Sequence, residues 1–475
     1  MGVSALTAAA GGIQGASAQS PSDETVSTAV AERAKYGFGG GEAKVLSLLE
    51  SGGHPDSELY GFPVSKAEAD DLADRSRFAE QVSRETLPFV RSLPQFGGAW
   101  IDQKNGGSLV VVLTSASAET RAGIRSRMPE DTRGLRIETA DDTFDDLARA
   151  VDDSSRVWDE LAEGVTPFAF GTDEQHNRVV ARVDPSELES ARQSIPRIEE
   201  ALGVDVAVEG RDRPVDKNTW SACGGRHHCY GPFKLGVKMR YTLTAWNNPD
   251  TTYVCSMGFH VTHPTNSTLN RSFLTAGHCV YNRPGDWHHS DPYQDAYGPI
   301  GSRVSSRYNA TDKRDIALVK IEAWAKNRSK SVYGETATRT MTTPDTPIEN
   351  ETLCMSLGNQ DKVWCGTADH RHQKWESTTA NPNIWVWGSG VNLCCGRSSI
   401  GGDSGSPIYR RWMLPISPYI EYITPVGILD AGNETPDFQF DNDIYFARVY
   451  WATNDPDGWP GLEIFDGPNG VGGPP

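Results

Sequence analysis

Gly401-Gly402-Asp403-Ser404-Gly405-Ser406-Pro407 sets one serine hydroxyl in a glycine-rich turn. Two upstream segments give that hydroxyl a meaning it lacks alone. They are Leu274-Thr275-Ala276-Gly277-His278-Cys279 and Arg314-Asp315-Ile316-Ala317-Leu318-Val319, so a histidine, an aspartate and a serine follow in that order. Acyl transfer to a serine needs a base to take the hydroxyl proton, and a buried carboxylate to hold that imidazole in the right tautomer and stabilise its charged form. It also needs donors for the oxyanion, which the backbone amides of Gly402 and Ser404 can supply because glycine permits the bend. Taken singly, each segment has a plainer explanation. A Gly-Asp-Ser-Gly sequence is a common turn, a histidine beside a cysteine is more often packing or a metal ligand, and Asp315 suits a strand cap. Their joint occurrence within one β-rich region favours catalysis, with Ser404 as nucleophile, His278 as general base and Asp315 orienting it.

That region begins near residue 230, where short alternating strands are separated by Gly, Pro and Asn: Tyr241 to Ala245, Tyr253 to Val261, Ile316 to Ile321 and Val426 to Leu429. With few convincing helices, the pattern predicts a β-barrel or sandwich. The 475 residues exceed one ordinary core, so two or three domains are expected. Residues 1–210 carry 36 acidic against 20 basic side chains, a net of −16, and the remainder carry 27 against 25, a net of −2. All eight cysteines lie at or beyond Cys223, so only the second half is suited to an oxidising compartment. A strongly acidic half does not suit nucleic acid, which demands a basic footprint. No stretch approaches the roughly 20 apolar residues that span a bilayer, so no membrane partner is expected. Residues 1–18, ending in Ala16-Ser17-Ala18, have the small apolar character of a secretory signal without its positive start; a disordered Ala/Gly tail is the alternative.

Residues 19–210 read as an α/β unit. Lys66 to Val90 offers Leu72, Phe78 and Val82 at helical spacings. Trp100-Ile101-Asp102 passes through Asn105-Gly106-Gly107 into Ser108 to Thr114, the pattern of a hairpin with a buried second strand. Residues 141–162 return to helix, with Phe144, Leu147, Val151, Trp158 and Leu161 on one face. Val179 to Val183 predicts a strand, Asp184 an N-cap with Pro185 at the first helical position and Glu187 completing a capping box. A helix bearing Leu188, Ala191, Ile195 and Ile198 and a strand bearing Val204, Val206 and Val208 follow. Residues 211–222, polar and containing Pro214, suit a linker or processing region ahead of a domain at 223–475.

The second half resembles the streptogrisin and alpha-lytic protease branch of the chymotrypsin-like serine proteases. The likeness is carried by Cys255-Ser256-Met257-Gly258-Phe259, Phe273 through Cys279, Asp315 to Val319, Cys365-Gly366-Thr367 and Gly402 to Pro407. It implies a secreted endopeptidase acting on polypeptides without a cofactor or metal, built as two six-stranded antiparallel β-barrels with the site between them. The first half resembles the pro-region of that family, through Phe96-Gly97-Gly98-Ala99-Trp100-Ile101-Asp102 and the capped unit from Val179 to Val208. The resemblance implies a zymogen whose pro-region assists folding, inhibits and is cut away, leaving a monomer. A non-local β topology folds slowly, and a template can lower that barrier.

The same resemblance pairs Cys255 with Cys279 and Cys354 with Cys365. Cys223 and Cys229 are open to a third bridge, and the adjacent Cys394 and Cys395 depart from the family pattern, so the pairing of these four stays open. Cys223, His227, His228 and Cys229 also offer zinc-type ligands, but four within seven residues make poor tetrahedral spacing. The specificity pocket falls at Ser398 and Ser399 and at Asp430-Ala431-Gly432, where the family carries Ser-Gly-Gly. Asp430 either brings a carboxylate near the pocket, favouring a basic residue before the scissile bond, or marks a displaced register, because a second carboxylate near Asp315 would be repelled. His288, His289, His370 and His372 read as solvated loop residues, and Asn266, Asn309 and Asn433 as glycosylation acceptors where the host supplies that chemistry. The alternatives to an endopeptidase are an esterase using the same serine, and a silent protease-like domain binding through its cleft or through Trp385 to Trp387.

Overall fold

The computed structural model describes residues 22–130, 133–213, 233–242, 252–281, 286–289, 300–309, 311–321, 328–332, 338–341, 343–358, 360, 362–377, 384–393, 397–399, 403–413, 420–432, 442–454 and 458–465. The N-terminal half contains α1 (Asp23–Lys35), α2 (Gly41–Glu50), α3 (Ser57–Tyr60), α4 (Lys66–Glu85), α5 (Leu87–Arg91), β1 (Phe96–Asp102), β2 (Ser108–Leu113), α6 (Ala118–Arg125), β3 (Leu135–Thr139), α7 (Phe144–Leu161), β4 (Ala169–Asp173), β5 (Arg178–Val183), α8 (Leu188–Leu202) and β6 (Val206–Gly210).

The helix expected over 66–90 is interrupted at Thr86, where Pro88 opens α5 in its first turn. Its start is fixed by a capping box between Ser65 and Glu68. The hairpin of β1 and β2 forms as expected, and β3 joins β2 in parallel. Phe78, Val82 and Val90 from α4 and α5 cover this sheet, packing against Ile101, Leu109 and Val111. In the capped unit, Asp184 accepts from the Ser186 amide, but Glu187 makes no capping box. Its carboxylate instead accepts the Thr166 amide at 3.0 Å, tying the start of α8 to the chain ahead of β4. β5 and β6 pair in parallel under α7 and α8, and β4 pairs antiparallel to β5.

The C-terminal half contains β7 (Phe233–Leu235), β8 (Lys238–Thr242), β9 (Thr252–Ser256), β10 (His260–Thr262), β11 (Ser272–Thr275), the one-turn α9 (Gly277–Val280), β12 (Asp286–His289), β13 (Gly301–Ser306), β14 (Ala317–Ile321), β15 (Arg328–Val332), β16 (Thr338–Met341), β17 (Thr352–Leu357), β18 (Lys362–Ala368), β19 (Gln373–Ser377), β20 (Ile384–Leu393), β21 (Pro407–Met413), β22 (Ile420–Gly432), β23 (Asn442–Arg448), the short α10 (Val449–Thr453) and β24 (Glu463–Ile464). This is a chymotrypsin-like β architecture. One sheet runs β24-β10-β11-β14-β13-β12-β8-β9, eight strands where the resemblance implied six. In the other, β22, β21, β17, β18, β20 and β23 pair antiparallel in succession and β23 returns to β22, closing a six-stranded barrel.

The two halves share a sheet. The first half of β20 pairs with β19, and β19 pairs antiparallel with β4, so β4, β5 and β6 extend the sheet outward. Buried ion pairs surround the junction. Arg182 of β5 reaches Asp369, the Tyr445 hydroxyl at 3.2 Å and Asp443 at 3.6 Å. Arg371 meets Glu174 at 2.9 Å, and Arg410 of β21 meets Glu80 of α4 at 2.5 Å while also holding Glu351. Burial of an ion is costly, so each such charge requires its partner. This cover also corrects the expectation for the histidines. His370 is buried with its ring against Gly171, His372 lies 3.3 Å from Asp152, and His288 and His289 belong to β12. Trp385 and Trp387 sit on β20 and pack against the core under α7 and α8.

Glu349 differs from these pairs. Its carboxylate accepts the amides of Glu174 at 2.8 Å and Gln175 at 3.4 Å from the β4–β5 turn, with Asp173 and Glu174 as its charged neighbours there and Asp369 on its own half. Burial, reinforced by Asp173 and Glu174, holds this carboxyl well above its ordinary 4.5. A pKa raised by folding contributes stability that is full below the unfolded value and is lost as pH rises toward the folded one. Burial likewise raises Asp443 and Glu351, which titrate in the same direction. These three carboxyls are therefore expected to withdraw stability as pH rises above about 5, by about 1.4 kcal/mol per pH unit for each proton, while His372, held low by burial, acts the other way. Glu349→Gln should remove that share of the slope and raise the denaturation midpoint at pH 7, as read from urea unfolding at several pH values.

Candidate active site

Strand pairing brings the first two candidate residues together. β11 and β14 are antiparallel neighbours in the register Thr275↔Ala317, so residues just after β11 face residues just before β14. His278 lies in α9, three positions beyond Thr275, and Asp315 lies two positions ahead of Ala317. Asp315 Oδ2 is 2.5 Å from His278 Nδ1, and its Oδ1 accepts the His278 amide at 2.6 Å. With both oxygens engaged by one residue, the carboxylate fixes the ring as well as the backbone that carries it. Both side chains are wholly buried. The close approach requires Gly277, where an added Cβ would lie 2.6 Å from Tyr308 Cβ and 2.9 Å from Asp315 Oδ1. The Cys255–Cys279 disulfide ties α9 to the end of β9, and Cys354–Cys365 staples β17 to β18.

Ser404 comes from the six-stranded barrel, in the turn ahead of β21. Its carbonyl accepts the Ser256 amide at 2.6 Å and lies 4.0 Å from Cys279 Sγ, which seats the turn against the histidine segment. The turn closes on itself through Ser406 N to Asp403 O at 2.9 Å, and Gly405 N donates to Leu429 O at 2.7 Å. The Ser404 hydroxyl donates to the Asp430 carbonyl at 3.0 Å. Ser404 is 2% exposed, so access requires something to move.

The expected pocket residues lie on neighbouring walls. Ser399 faces Gly432, where an added Cβ would sit 2.3 Å from Ser399 Oγ. Ser398 and Asp430 are buried. Ala431 packs in a cluster with Tyr308, Trp375, Val386 and Tyr445 that also takes Phe168 and Ala169 from the N-terminal half. The structure thus brings Asp430 to the Ser404 hydroxyl and Gly432 to Ser399. Gly402, the expected second oxyanion donor, lies outside the described residues, as do Cys223, His227, His228, Cys229, Cys394, Cys395 and Asn433. Among the described residues, the one metal-like grouping is Cys255, His278 and Cys279, whose thiols are joined in the disulfide.

Residues 255–434 match the family model described as Trypsin, and this segment is a Trypsin-family domain of the chymotrypsin-like serine protease type. Solved structures similar to the chain include a glutamic acid specific serine protease reported to use a histidine triad in substrate binding, at 18% identity over 49% of this chain and 100% of that one, with a TM-score of 0.35. Thermobifida fusca protease A follows at 20% identity, 49% of this chain, 98% of that one and a TM-score of 0.33. A Cellulomonas bogoriensis chymotrypsin stands at 19% identity, with coverage of 49% and 98% and a TM-score of 0.31. No curated protein matches the chain.

The turn makes a strict demand at Gly405. Its φ is +91°, and an added Cβ would lie 2.2 Å from Ser256 O and 2.4 Å from Thr275 Oγ1. Gly405→Ala is expected to cost more than about 1 kcal/mol from the left-handed backbone alone, and more from the clash with the Ser256 carbonyl. A thermal unfolding midpoint equal to that of the unaltered chain would contradict this placement.

Proposed function

We propose that the C-terminal half is a secreted serine endopeptidase of the streptogrisin and alpha-lytic protease branch, and that residues 19–210 are its pro-region. Ser404 attacks the scissile carbonyl, His278 takes and returns the proton, and Asp315 holds the ring with Nε2 presented to the hydroxyl. The observation that carries this reading is the two-point grip of Asp315 on His278, at 2.5 Å and 2.6 Å, beside the buried turn of Ser404. A carboxylate so placed stabilises the imidazolium formed as the serine is deprotonated. The amide of Ser404, with that of Gly402, serves the oxyanion.

The pro-region reading draws on the shared sheet. β4 occupies an edge of β19 on the protease side, and Phe168 and Ala169 pack into the cluster beside Ala431. Ser404 is 2% exposed in the full chain, and on this reading the precursor is silent. Cleavage after residue 210 and departure of the N-terminal half would open the cleft to polypeptide and leave a monomer that needs no cofactor.

A fluorophosphonate probe should label the secreted product freed of residues 1–210, and leave both the precursor and Ser404→Ala unlabelled. N-terminal sequencing and intact mass of the same product locate the cut and count the disulfides. A processed wild-type chain that resists the probe would remove the endopeptidase reading and leave a binding protein. Asp315→Asn should keep the fold while lowering kcat by about 10⁴, since the wrong tautomer is then favoured. Peptide hydrolysis within tenfold of wild type would show that Asp315 plays no such part.

A further inference from the structure

We infer that Gln360 is a positioning residue for the oxyanion turn, tying the pocket wall at Ser398 to the carboxylate of Asp403 through the two protons of one amide nitrogen. Its consequence for turnover rests on the Ser404 reading above, whereas the tie itself does not. Gln360 Nε2 donates to Ser398 O at 2.7 Å and to Asp403 Oδ2 at 2.7 Å. Both partners accept only, so the amide is fixed in this orientation. The flipped form would set its oxygen against a carbonyl and a carboxylate.

Asp403 immediately precedes the nucleophile and is wholly buried. A buried carboxylate left without donors is expensive, so a donor to it also governs where it sits. The carbonyl of the same residue closes the turn through Ser406 N. Gly358, two residues before Gln360, donates its amide to Ser406 Oγ at 3.1 Å. That segment has no freedom to slide, because an added Cβ at Gly358 would lie 2.0 Å from Ser256 Oγ. Gly358 and Gln360 thus brace the turn at its two ends, at Ser406 and at Asp403.

The tie matters most once the N-terminal half is gone. In the full chain the same neighbourhood is also gripped from outside by α3: Arg397, next to Ser398, donates to the carbonyls of Leu59, at 2.7 Å, and Glu58, and Lys362 pairs with Glu58 at 2.5 Å. Those bonds leave with the N-terminal half. The two bonds of Gln360 lie wholly within the protease domain and stay.

Hydrogen exchange and steady-state kinetics on wild type, Gln360→Ala and Gln360→Glu test the inference. In the intact full-length chain, Gln360→Ala should speed amide exchange in the peptide spanning 397–406 by about tenfold or more, with the strands of the six-stranded barrel and of the eight-stranded sheet unchanged. In the processed enzyme it should lower kcat by about 10- to 100-fold, the cost of a displacement near 1 Å at the reacting centre, with KM within about threefold of wild type. Gln360→Glu places a second carboxylate against Asp403. Its deficit should therefore shrink as pH falls and the pair takes up a proton, whereas that of Gln360→Ala stays constant with pH. Unchanged exchange over 397–406 in Gln360→Ala would overturn the tie, and a loosened turn with unchanged kcat would overturn its positioning role. A wild-type enzyme that turns over nothing is a failure of the Ser404 reading, and exchange still decides the tie.

Discussion

The architecture turns on one edge-to-edge pairing. β4 lies antiparallel along β19, with Thr172 N donating to His372 O at 3.0 Å and Glu376 N donating to Phe168 O at 3.0 Å. Without it, β19 would present a bare row of donors and acceptors to solvent, and β4 would be an edge strand of a three-stranded sheet. Everything at the junction follows from its register. Phe170 falls beside Trp385, Lys374 Nζ reaches the Asp152 carbonyl at 2.9 Å, and Arg182 reaches across to Asp369 and Asp443. A slip of one residue would turn each of these side chains to the opposite face. The pairing is thus a constraint on both halves, since each completes the sheet of the other.

Short-range chemistry is legible in the chain, and long-range cover is not. The three motifs around His278, Asp315 and Ser404 each compress a backbone demand and a reactive group into a few residues, and strand adjacency accounts for two of them meeting. The hairpin of β1 and β2, the helix over 144–161 and the β5–α8–β6 unit are equally plain, because each is a local pattern of apolar period and cap. β4 is hidden: its sequence, Ala169-Phe170-Gly171-Thr172-Asp173, lacks alternation because both faces are buried. Its partner in β19 lies some two hundred residues away. For the same reason His370 and His372 read as solvated loop residues and Trp385 to Trp387 as a binding surface, when the N-terminal half packs against them. Gln360 gives no signal at all, since a lone glutamine in a turn reveals nothing until its two acceptors are placed.

The acidity of the N-terminal half has a structural use. Glu58, Glu80 and Glu174 each reach a cation of the protease domain, namely Lys362, Arg410 and Arg371. The complement is not one-sided, because Arg182 and Arg213 reach back to Asp369, Asp443 and Glu376. The pairs of Arg410, Arg371 and Arg182 are buried and gain little net energy, as the attraction roughly offsets the forfeited hydration, but removing one partner leaves a stranded charge, whereas the exposed Lys362–Glu58 pair contributes little. They specify the fit of the two halves more than they tighten it.

Departure of the N-terminal half would therefore act unevenly on the charges it leaves. Arg410 keeps Glu351 at 2.6 Å and Asp345 at 3.1 Å within its own domain, so its burial remains compensated. Arg397, which burial against α3 pushes down to about 10, would give up its two carbonyl partners on α3 and regain water. Lys374, pushed down to about 8 by burial, would recover hydration from beneath α7. Hydration recovered by such groups offsets part of the cost of withdrawing Phe168 and Phe170 from their apolar surroundings. The Arg397 segment and the β19 hairpin are thus the places where separation would cost least, while Arg410 would lose Glu80 and keep Glu351 and Asp345.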